Sequence, residues 1–239
     1  MNRIIDAERA AICALFRTWP DALVWIGGSV LHLLYASPRT SYDLDLAPRK
    51  GLLPPGRQAA EAVRAALQEV NAALGTAFAV EPLSGSSGPI RVTEGARPGF
   101  AVDLSAIAGS VGETRGTVLE SVVGPQAVVV PTDSGLLRLK LEALLFRRFV
   151  KASDVFDAWF LTSRGAKLTP PERRRLREEV RLREIEWEEV GQRLSRLTPD
   201  RFLAHLHRRL PAEALHGWNT ASARSAIDSV WALLGKARR

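Results

Sequence analysis

The sequence predicts an α/β (α+β) protein in which strands and helices alternate first and an all-helical part follows. Short apolar runs bounded by glycine, proline and polar residues recur before residue 131, with amphipathic helical patterns between them. After Pro131 the pattern changes to leucine- and arginine-rich helical segments. With 239 residues, 46% of them hydrophobic, the chain can bury a substantial core. We therefore expect two domains, 1–131 and 132–239.

The order of elements follows from hydrophobic periodicity and from the positions of helix and strand breakers. The first helix should end before Pro20, because the residue preceding a proline is displaced from the helical region. A buried strand is expected next in ALVWIGG at 22–28, followed by a helix at 29–36, a strand at 42–47, a Pro/Gly-rich loop at 48–56 and a helix at 57–74. Further strands are expected at 76–82, 90–94, 99–108, 117–123 and 126–131, with a turn at 84–89. Helical patterns then occupy 133–162, 170–195, 199–208 and 221–235.

Positive charge is concentrated in the C-terminal part. Residues 1–130 contain 11 lysines and arginines against 12 acids, whereas residues 131–239 contain 22 against 14. Clustered basic residues are typical of surfaces that bind nucleic acid, because they displace counterions from phosphates. Solvated helix faces are the alternative, since acids are interleaved in RRRLREEVRLREIEWEEV. The charge alone leaves both interpretations open.

Several classes of protein are disfavoured by composition. No window approaches the roughly 18 uninterrupted apolar residues of a membrane span, and the N-terminus is unlike a signal peptide, so we expect a cytoplasmic protein. Cys13 is the only cysteine and the four histidines lack cysteine partners, which makes a structural zinc site improbable.

The main chemical signal is Gly27-Gly28-Ser29 followed, after thirteen intervening residues, by Asp43-Leu44-Asp45. Glycines allow the backbone to approach a triphosphate, and the amides that open the next helix can donate to it. In a strand Asp43 and Asp45 share one face, since successive side chains alternate. Paired carboxylates are suitable ligands for Mg²⁺, which assists phosphoryl and nucleotidyl transfer.

Asp103 is the candidate for a third carboxylate. It lies between Val102 and Leu104 in an apolar strand, where an unpaired acid would be costly, and a metal would provide a partner. Each feature also has an ordinary structural explanation: a glycine pair often forms only a turn, an Asp-x-Asp pair can lie on an exposed strand, and Asp103 could face water from an edge strand. Their order on the expected elements favours a metal and phosphate site.

The segment GGSVLHLLYASPRTSYDLDL resembles the opening motif of the AbiEii/AbiGii toxin family, nucleotidyltransferase-like proteins of bacterial toxin–antitoxin pairs. RLKLEALLFRRFVKASDVFDAWFL at 138–161 resembles that family's second conserved region. The resemblance implies a mixed-sheet nucleotidyltransferase core. It assigns phosphate binding to Gly28 and Ser29, nucleotide binding to Arg39, Ser41 and Lys140, metal binding to Asp43 and Asp45, and a catalytic role to Asp43, Asp45, Lys140 and Asp154, with Asp157 as the competitor of Asp154.

The resemblance also implies an activity. It predicts Mg²⁺- or Mn²⁺-dependent transfer of a nucleoside monophosphate from an NTP to the 3′ end of tRNA, which would block translation, and a cognate antitoxin as partner. Transfer to a hydroxyl of a protein or small molecule remains open, as does a non-catalytic NTP- or RNA-binding regulator.

The residues of the second region have other interpretations as well. Lys140 lies among leucines and must reach a carboxylate or phosphate, unless it extends to water from an amphipathic face. Asp154 could cap the helix that it begins, helped by Ser153. Asp157 could pair with Lys151 or Arg148 on a wet surface, where the pair would contribute little.

Overall fold

A computed structural model describes residues 3–49, 54–82, 88–104 and 111–238. The chain divides into two compact units. The N-terminal unit contains Met1–Ala36 and Ser41–Pro131, and the C-terminal unit contains Ser37–Thr40 and Thr132–Arg239. A short segment between two elements of the first unit thus belongs to the second.

The N-terminal unit is built on a five-stranded mixed sheet with strand order β1-β2-β5-β4-β3. Strand β2 pairs in parallel with β5, whereas the other pairs are antiparallel. Strands β6 and β7 form a separate antiparallel pair. The elements are α1 (Arg3–Thr18), β1 (Leu23–Ile26), α2 (Gly28–Tyr35), β2 (Asp43–Pro48), α3 (Gly56–Leu74), β3 (Phe78–Val80), β4 (Ile90–Glu94), β5 (Arg97–Leu104), β6 (Thr114–Leu119) and β7 (Gln126–Pro131).

Side-chain alternation explains how β2 is seated. Leu44 and Leu46 are fully buried, while Asp43 is exposed and Asp45 is half-buried. The leucines therefore point into the core, which also contains Trp25 and Phe16. Helix α3 ends at Gly75, whose left-handed conformation (φ 63°) closes the last turn.

The C-terminal unit contains only helices as regular elements among its described residues. They are α4 (Asp133–Phe146), α5 (Ala152–Ser163), α6 (Pro170–Leu182), α7 (Trp187–Ser195), α8 (Pro199–Leu206), α9 (Ala212–Leu215) and α10 (Thr220–Arg238). Rings of α5 and α8 meet Trp218, which lies between α9 and α10: the centroids of Trp159 and Trp218 are 4.8 Å apart, and Phe156 and Phe202 each contact Trp218. Through these rings the segment before α10 packs on α5 and α8.

Two long helical patterns are each interrupted, which the sequence analysis did not predict. The pattern at 133–162 forms two helices because Arg147 turns to an extended conformation (ψ 144°) after α4. The pattern at 170–195 is broken where Glu184 takes a left-handed conformation (φ 48°). Hydrophobic periodicity continues through both breaks, so it could not reveal them.

The α/β core with its mixed sheet and the helical part that follows are confirmed. Parts of three expected features lie outside the described residues: 50–53 of the loop at 48–56, 84–87 of the turn at 84–89, and 105–108 of the strand at 99–108. In the part of the chain that is described, no helix has the length and apolar character needed to cross a bilayer.

Candidate functional site

Three aspartates are brought together on neighbouring strands of the N-terminal unit. Asp43 and Asp45 share one face of β2, opposite the buried Leu44. The parallel pairing of β2 with β5 places Asp103 directly beside Asp45 in register. Asp103 is half-buried, as is Asp45. The sheet therefore places the aspartates that the sequence singled out on two adjacent strands.

The glycine turn reaches this group of acids through Gly27. The antiparallel pairing of β1 with β2 sets Ile26 opposite Asp45, so the chain enters the turn next to that aspartate. Gly27 has φ 84° and ψ −165°, a conformation that residues with a side chain avoid. A Cβ atom at Gly27 would lie 2.1 Å from Oδ2 of Asp45. The Asp45 carboxylate is therefore seated against the main chain of the turn, and only glycine leaves room for it.

Helix α2 starts immediately after this turn, at Gly28. Its N-cap, Gly27, provides no side-chain cap, so the first amides of the helix are not capped from within that residue. The hydroxyl of Ser29 is buried and accepts a hydrogen bond from Nε1 of Trp25 at 3.0 Å. This bond orients Ser29, whereas its role as a phosphate donor stays a prediction, as does that of Gly28.

The donor set fits a hard divalent cation. Carboxylate oxygens are the ligands that Mg²⁺ and Mn²⁺ prefer, and Mg²⁺ normally keeps water and substrate phosphate in its coordination shell. Among the described residues, no group of three or more histidine, cysteine, aspartate or glutamate side chains is arranged to hold a metal ion. A Mg²⁺ ion that keeps water and phosphate ligands needs fewer protein carboxylates than a closed protein cage does.

Glu8 is a further acid near this group that the sequence analysis missed. It is only 1% exposed on α1, and its Oε1 finds no hydrogen-bond partner among the described residues. Burial, and secondarily the charge of Asp43, raises the pKa of Glu8 to about 8. The signal was present in the sequence: Glu8 lies one turn before Ile12, on the apolar face of the first helix.

The C-terminal unit holds a second charged cluster, around Asp157. This carboxylate is fully buried and accepts hydrogen bonds from Arg39 at 2.7 and 2.9 Å. Nζ of Lys140 lies 2.8 Å from it. Burial alone would raise the pKa of Asp157, but the charges of Lys140 and Arg39 hold it below its usual value. Burial alone would lower the pKa of Lys140, but the charges of Asp157 and then Asp154 hold it above its usual value.

Two alternative interpretations of these acids were wrong. Asp157 does not lie on a wet surface beside Lys151 or Arg148, because its helix turns it into the core, where it meets Lys140 and Arg39. Asp154 does not cap α5: that helix begins at Ala152, and no side chain caps it. Asp154 instead lies 3.4 Å from Nζ of Lys140 and pairs with Arg147. Lys140 is buried and does not extend to water.

The segment Ser37–Thr40 is fixed by the same unit. Arg39 is clamped by Asp157, and the amide and hydroxyl of Thr40 donate to the carbonyl of Arg209 at 2.9 and 3.1 Å. Ser41, the next residue, is half-buried in the N-terminal unit. The nucleotide-binding roles of Arg39, Ser41 and Lys140 and the catalytic roles of Lys140 and Asp154 stay predictions.

Comparison with known proteins finds structural likeness. JHP933 from Helicobacter pylori has a TM-score of 0.50 at 14% sequence identity, covering 100% of this chain and 94% of its own. An H. pylori protein described as a candidate nucleotidyltransferase has a TM-score of 0.49 at 15% sequence identity, and the match covers 100% of this chain and 97% of that protein. An antigenic nucleotidyltransferase-like protein from Paracoccidioides brasiliensis has a TM-score of 0.42 at 12% sequence identity, and the match covers 80% of this chain and 94% of that protein.

These comparisons concern the fold. The descriptions of two of these neighbours name a nucleotidyltransferase or a nucleotidyltransferase-like protein. No protein-family model matches the chain, and no curated protein matches it. The narrower resemblance to the AbiEii/AbiGii toxins stays a prediction.

Gly27→Ala should destabilise the protein much more than Gly75→Ala. Both glycines have positive φ, but a Cβ at Gly75 would meet nothing within 4 Å, whereas one at Gly27 would strike the Asp45 carboxylate. We expect a loss of about 1–2 kcal/mol at Gly75 and about 3 kcal/mol or more at Gly27. Urea denaturation measures both, and equal losses would contradict the close contact with Asp45.

Glu8→Gln should flatten the pH dependence of stability. Between pH 4.5 and pH 8 the unfolded chain releases the Glu8 proton while the folded protein retains it, so the folded protein loses stability as the pH rises through this window. From pH 5 to pH 8 the free energy of unfolding of the variant should rise relative to that of the wild type by a few kcal/mol, since one pKa unit corresponds to about 1.4 kcal/mol. Denaturation at pH 5 and pH 8 measures this, with the exposed Glu69→Gln as control. An equal difference at both pH values would refute the prediction.

Asp157→Asn should cost about 3–5 kcal/mol of stability at neutral pH, because it leaves two buried cations short of a counter-charge. Since the pKa of Asp157 is lowered by folding, the wild type holds this stabilisation above the usual value of 3.8 and loses it as the pH falls through the folded pKa. The exposed Asp228→Asn is the control in chemical denaturation. A loss below about 1 kcal/mol, typical of surface pairs, would show that the cluster contributes little.

Proposed function

We propose that this protein is a nucleotidyltransferase that moves a nucleoside monophosphate from an NTP to an acceptor hydroxyl. The observation that carries the proposal is the seating of the Asp45 carboxylate against the Gly27 turn, with Asp43 on the same strand face and Asp103 in register beside it. Acids aligned next to a glycine turn and a helix N-terminus combine a metal site with a phosphate site.

Each residue has a distinct task in the proposed reaction. The acceptor oxygen attacks the α-phosphorus, the bond from that phosphorus to the bridging oxygen of the β-phosphate breaks, and pyrophosphate leaves with its electron pair. Asp43 and Asp45 would hold Mg²⁺ or Mn²⁺, which neutralises phosphate charge when bound. Asp103 orients the acceptor hydroxyl and accepts its proton. Gly28 and Ser29 position the β- and γ-phosphates at the start of α2.

The residues of the second region enter through the resemblance. Lys140 is proposed to neutralise nucleotide phosphate, with Arg39 and Ser41 as further nucleotide-binding residues and Asp154 as an acid of the site. The ion pairs of the C-terminal unit are compatible with this, because they keep Lys140 charged and Arg39 rigid.

The acceptor that we propose is the 3′ end of tRNA. The resemblance to the AbiEii/AbiGii toxins supports it, as does the concentration of basic residues after residue 131. In this proposal the protein is the toxin of a toxin–antitoxin pair, acts in the cytoplasm by blocking translation, and is neutralised by a cognate antitoxin.

Asp45→Asn should reduce the rate of transfer at least about 100-fold. It would remove a carboxylate that holds the metal, and with it several kcal/mol of transition-state stabilisation, of which each 1.4 kcal/mol corresponds to about a factor of ten in rate. The purified protein is incubated with Mg²⁺, each α-³²P-labelled NTP in turn, and total tRNA, cell protein or an aminoglycoside. Label in tRNA that depends on Asp45 is the expected result. The exposed Asp228→Asn removes the same charge and should retain full transfer.

The other outcomes separate the alternatives. Label in protein or in the small molecule would move the acceptor to those classes, while nucleotide binding without transfer would indicate a regulator. Transfer that persists in pure Asp45→Asn protein would overturn the assignment of the site. Circular dichroism and urea denaturation of each variant distinguish lost chemistry from lost folding.

A further inference from the structure

A pocket of about 260 Å³ in the C-terminal unit is lined mainly by arginines. It lies among the loop between α4 and α5, the end of α7 and the start of α8. No acidic side chain contributes to its wall. The lining residues are Arg148, Phe149, Val150, Arg193, Arg196, Leu197 and Arg201.

Two of these arginines hold the walls of the pocket together. Nη2 of Arg193 donates to the carbonyl of Leu145 at 2.7 Å, and its Nη1 donates to the carbonyl of Arg147. Nη1 of Arg201 donates to the carbonyl of Arg196 at 3.1 Å. These carbonyls lie at the C-terminal ends of α4 and α7, which cations stabilise. The pocket is therefore preformed by the packing of helix ends.

The charge of the pocket is not balanced by the protein itself. Within the described part of the chain, Arg148, Arg196 and Arg201 form no ion pair, and all three are exposed. Elsewhere in the same unit, Arg39, Arg138 and Arg147 each have a carboxylate partner. Grouped like charges repel each other, and binding of an anion relieves that repulsion. Guanidinium groups suit phosphate in particular, because they can donate two parallel hydrogen bonds.

Phe149 indicates which polyanion fits. Its ring is 62% exposed beside the arginines and therefore contributes little hydrophobic burial to the core. Exposed rings among cationic side chains are the arrangement on which unpaired bases stack while arginines contact the phosphates. The carboxylates of an acidic peptide would use the charges but supply no flat ring for Phe149. Single-stranded nucleic acid uses both.

We propose that this arginine pocket binds a single-stranded segment of RNA, with phosphates on Arg148, Arg196 and Arg201 and a base stacked on Phe149. This inference rests on the proposed function in one respect, because it treats the bound RNA segment as part of the acceptor. Binding itself requires neither nucleotide nor metal, so it can be measured apart from transfer.

The test is a titration of the full-length protein into a fluorescein-labelled single-stranded 12-nucleotide RNA, followed by anisotropy at about 50 and 200 mM KCl. Arg148→Ala with Arg196→Ala should weaken binding about tenfold or more at the lower salt and reduce the slope of log K against log salt. Arg174→Ala with Arg177→Ala removes two exposed arginines from α6, with the same change in charge, and should weaken binding at most about twofold. Phe149→Ala should cost about fivefold or more, and Phe149→Trp should restore binding.

Equal weakening by the two arginine pairs would overturn the proposal, since net charge would then explain the binding. Poly-glutamate that competes as well as unlabelled RNA, or full binding by Phe149→Ala, would also overturn it. Asp45→Asn provides the separation from the proposed function: it should bind the RNA like the wild type while losing transfer. If Asp45→Asn loses transfer while the arginine-pair and Phe149 variants bind the RNA like the wild type, the pocket proposal fails and the proposed function stands.

Discussion

The contact between the Asp45 carboxylate and the main chain at Gly27 is the constraint on which the N-terminal unit depends. It requires a residue without a side chain, held in a conformation that only glycine adopts readily, at the junction of β1 and α2. The antiparallel register of β1 with β2 brings the two residues together, and the parallel register of β2 with β5 adds Asp103. One local geometry therefore joins the glycine turn to the acids.

A comparable constraint organises the C-terminal unit around Asp157. A fully buried carboxylate is tolerated because Arg39 and Lys140 surround it, and each cation is tolerated because the carboxylate is there. The carboxylate also fixes Ser37–Thr40, a segment that lies between α2 and β2 in sequence. Glu8 is the contrasting case, since it forms no ion pair among the described residues and its raised pKa keeps it largely uncharged at neutral pH.

Local patterns predicted the carboxylate pair and could not predict its surroundings. Alternation along β2 was sufficient to place Asp43 and Asp45 on one face, because that property belongs to a single strand. The partner of Asp157 lies 118 residues away in sequence, and no periodicity connects Arg39 with it. Glu8 was visible as an acid on an apolar helix face, but its relation to Asp43 depends on how α1 packs. The breaks at Arg147 and Glu184 depend on backbone conformations that hydrophobic spacing does not encode.

Charge balance gives the proposed chemistry its remaining requirement. Asp43, Asp45 and Asp103 would by themselves repel a triphosphate, so the proposed transfer would require a divalent cation to reverse the local charge. A polyanionic acceptor would be repelled as well, and the N-terminal part of the chain, with 11 basic and 12 acidic residues before position 131, has no excess of positive charge to attract it. The basic residues that an RNA acceptor needs lie in the C-terminal part, where Arg148, Arg196 and Arg201 of the pocket form no ion pair among the described residues. Metal and protein cations would thus serve different substrates: the ion the nucleotide, and the arginines the acceptor.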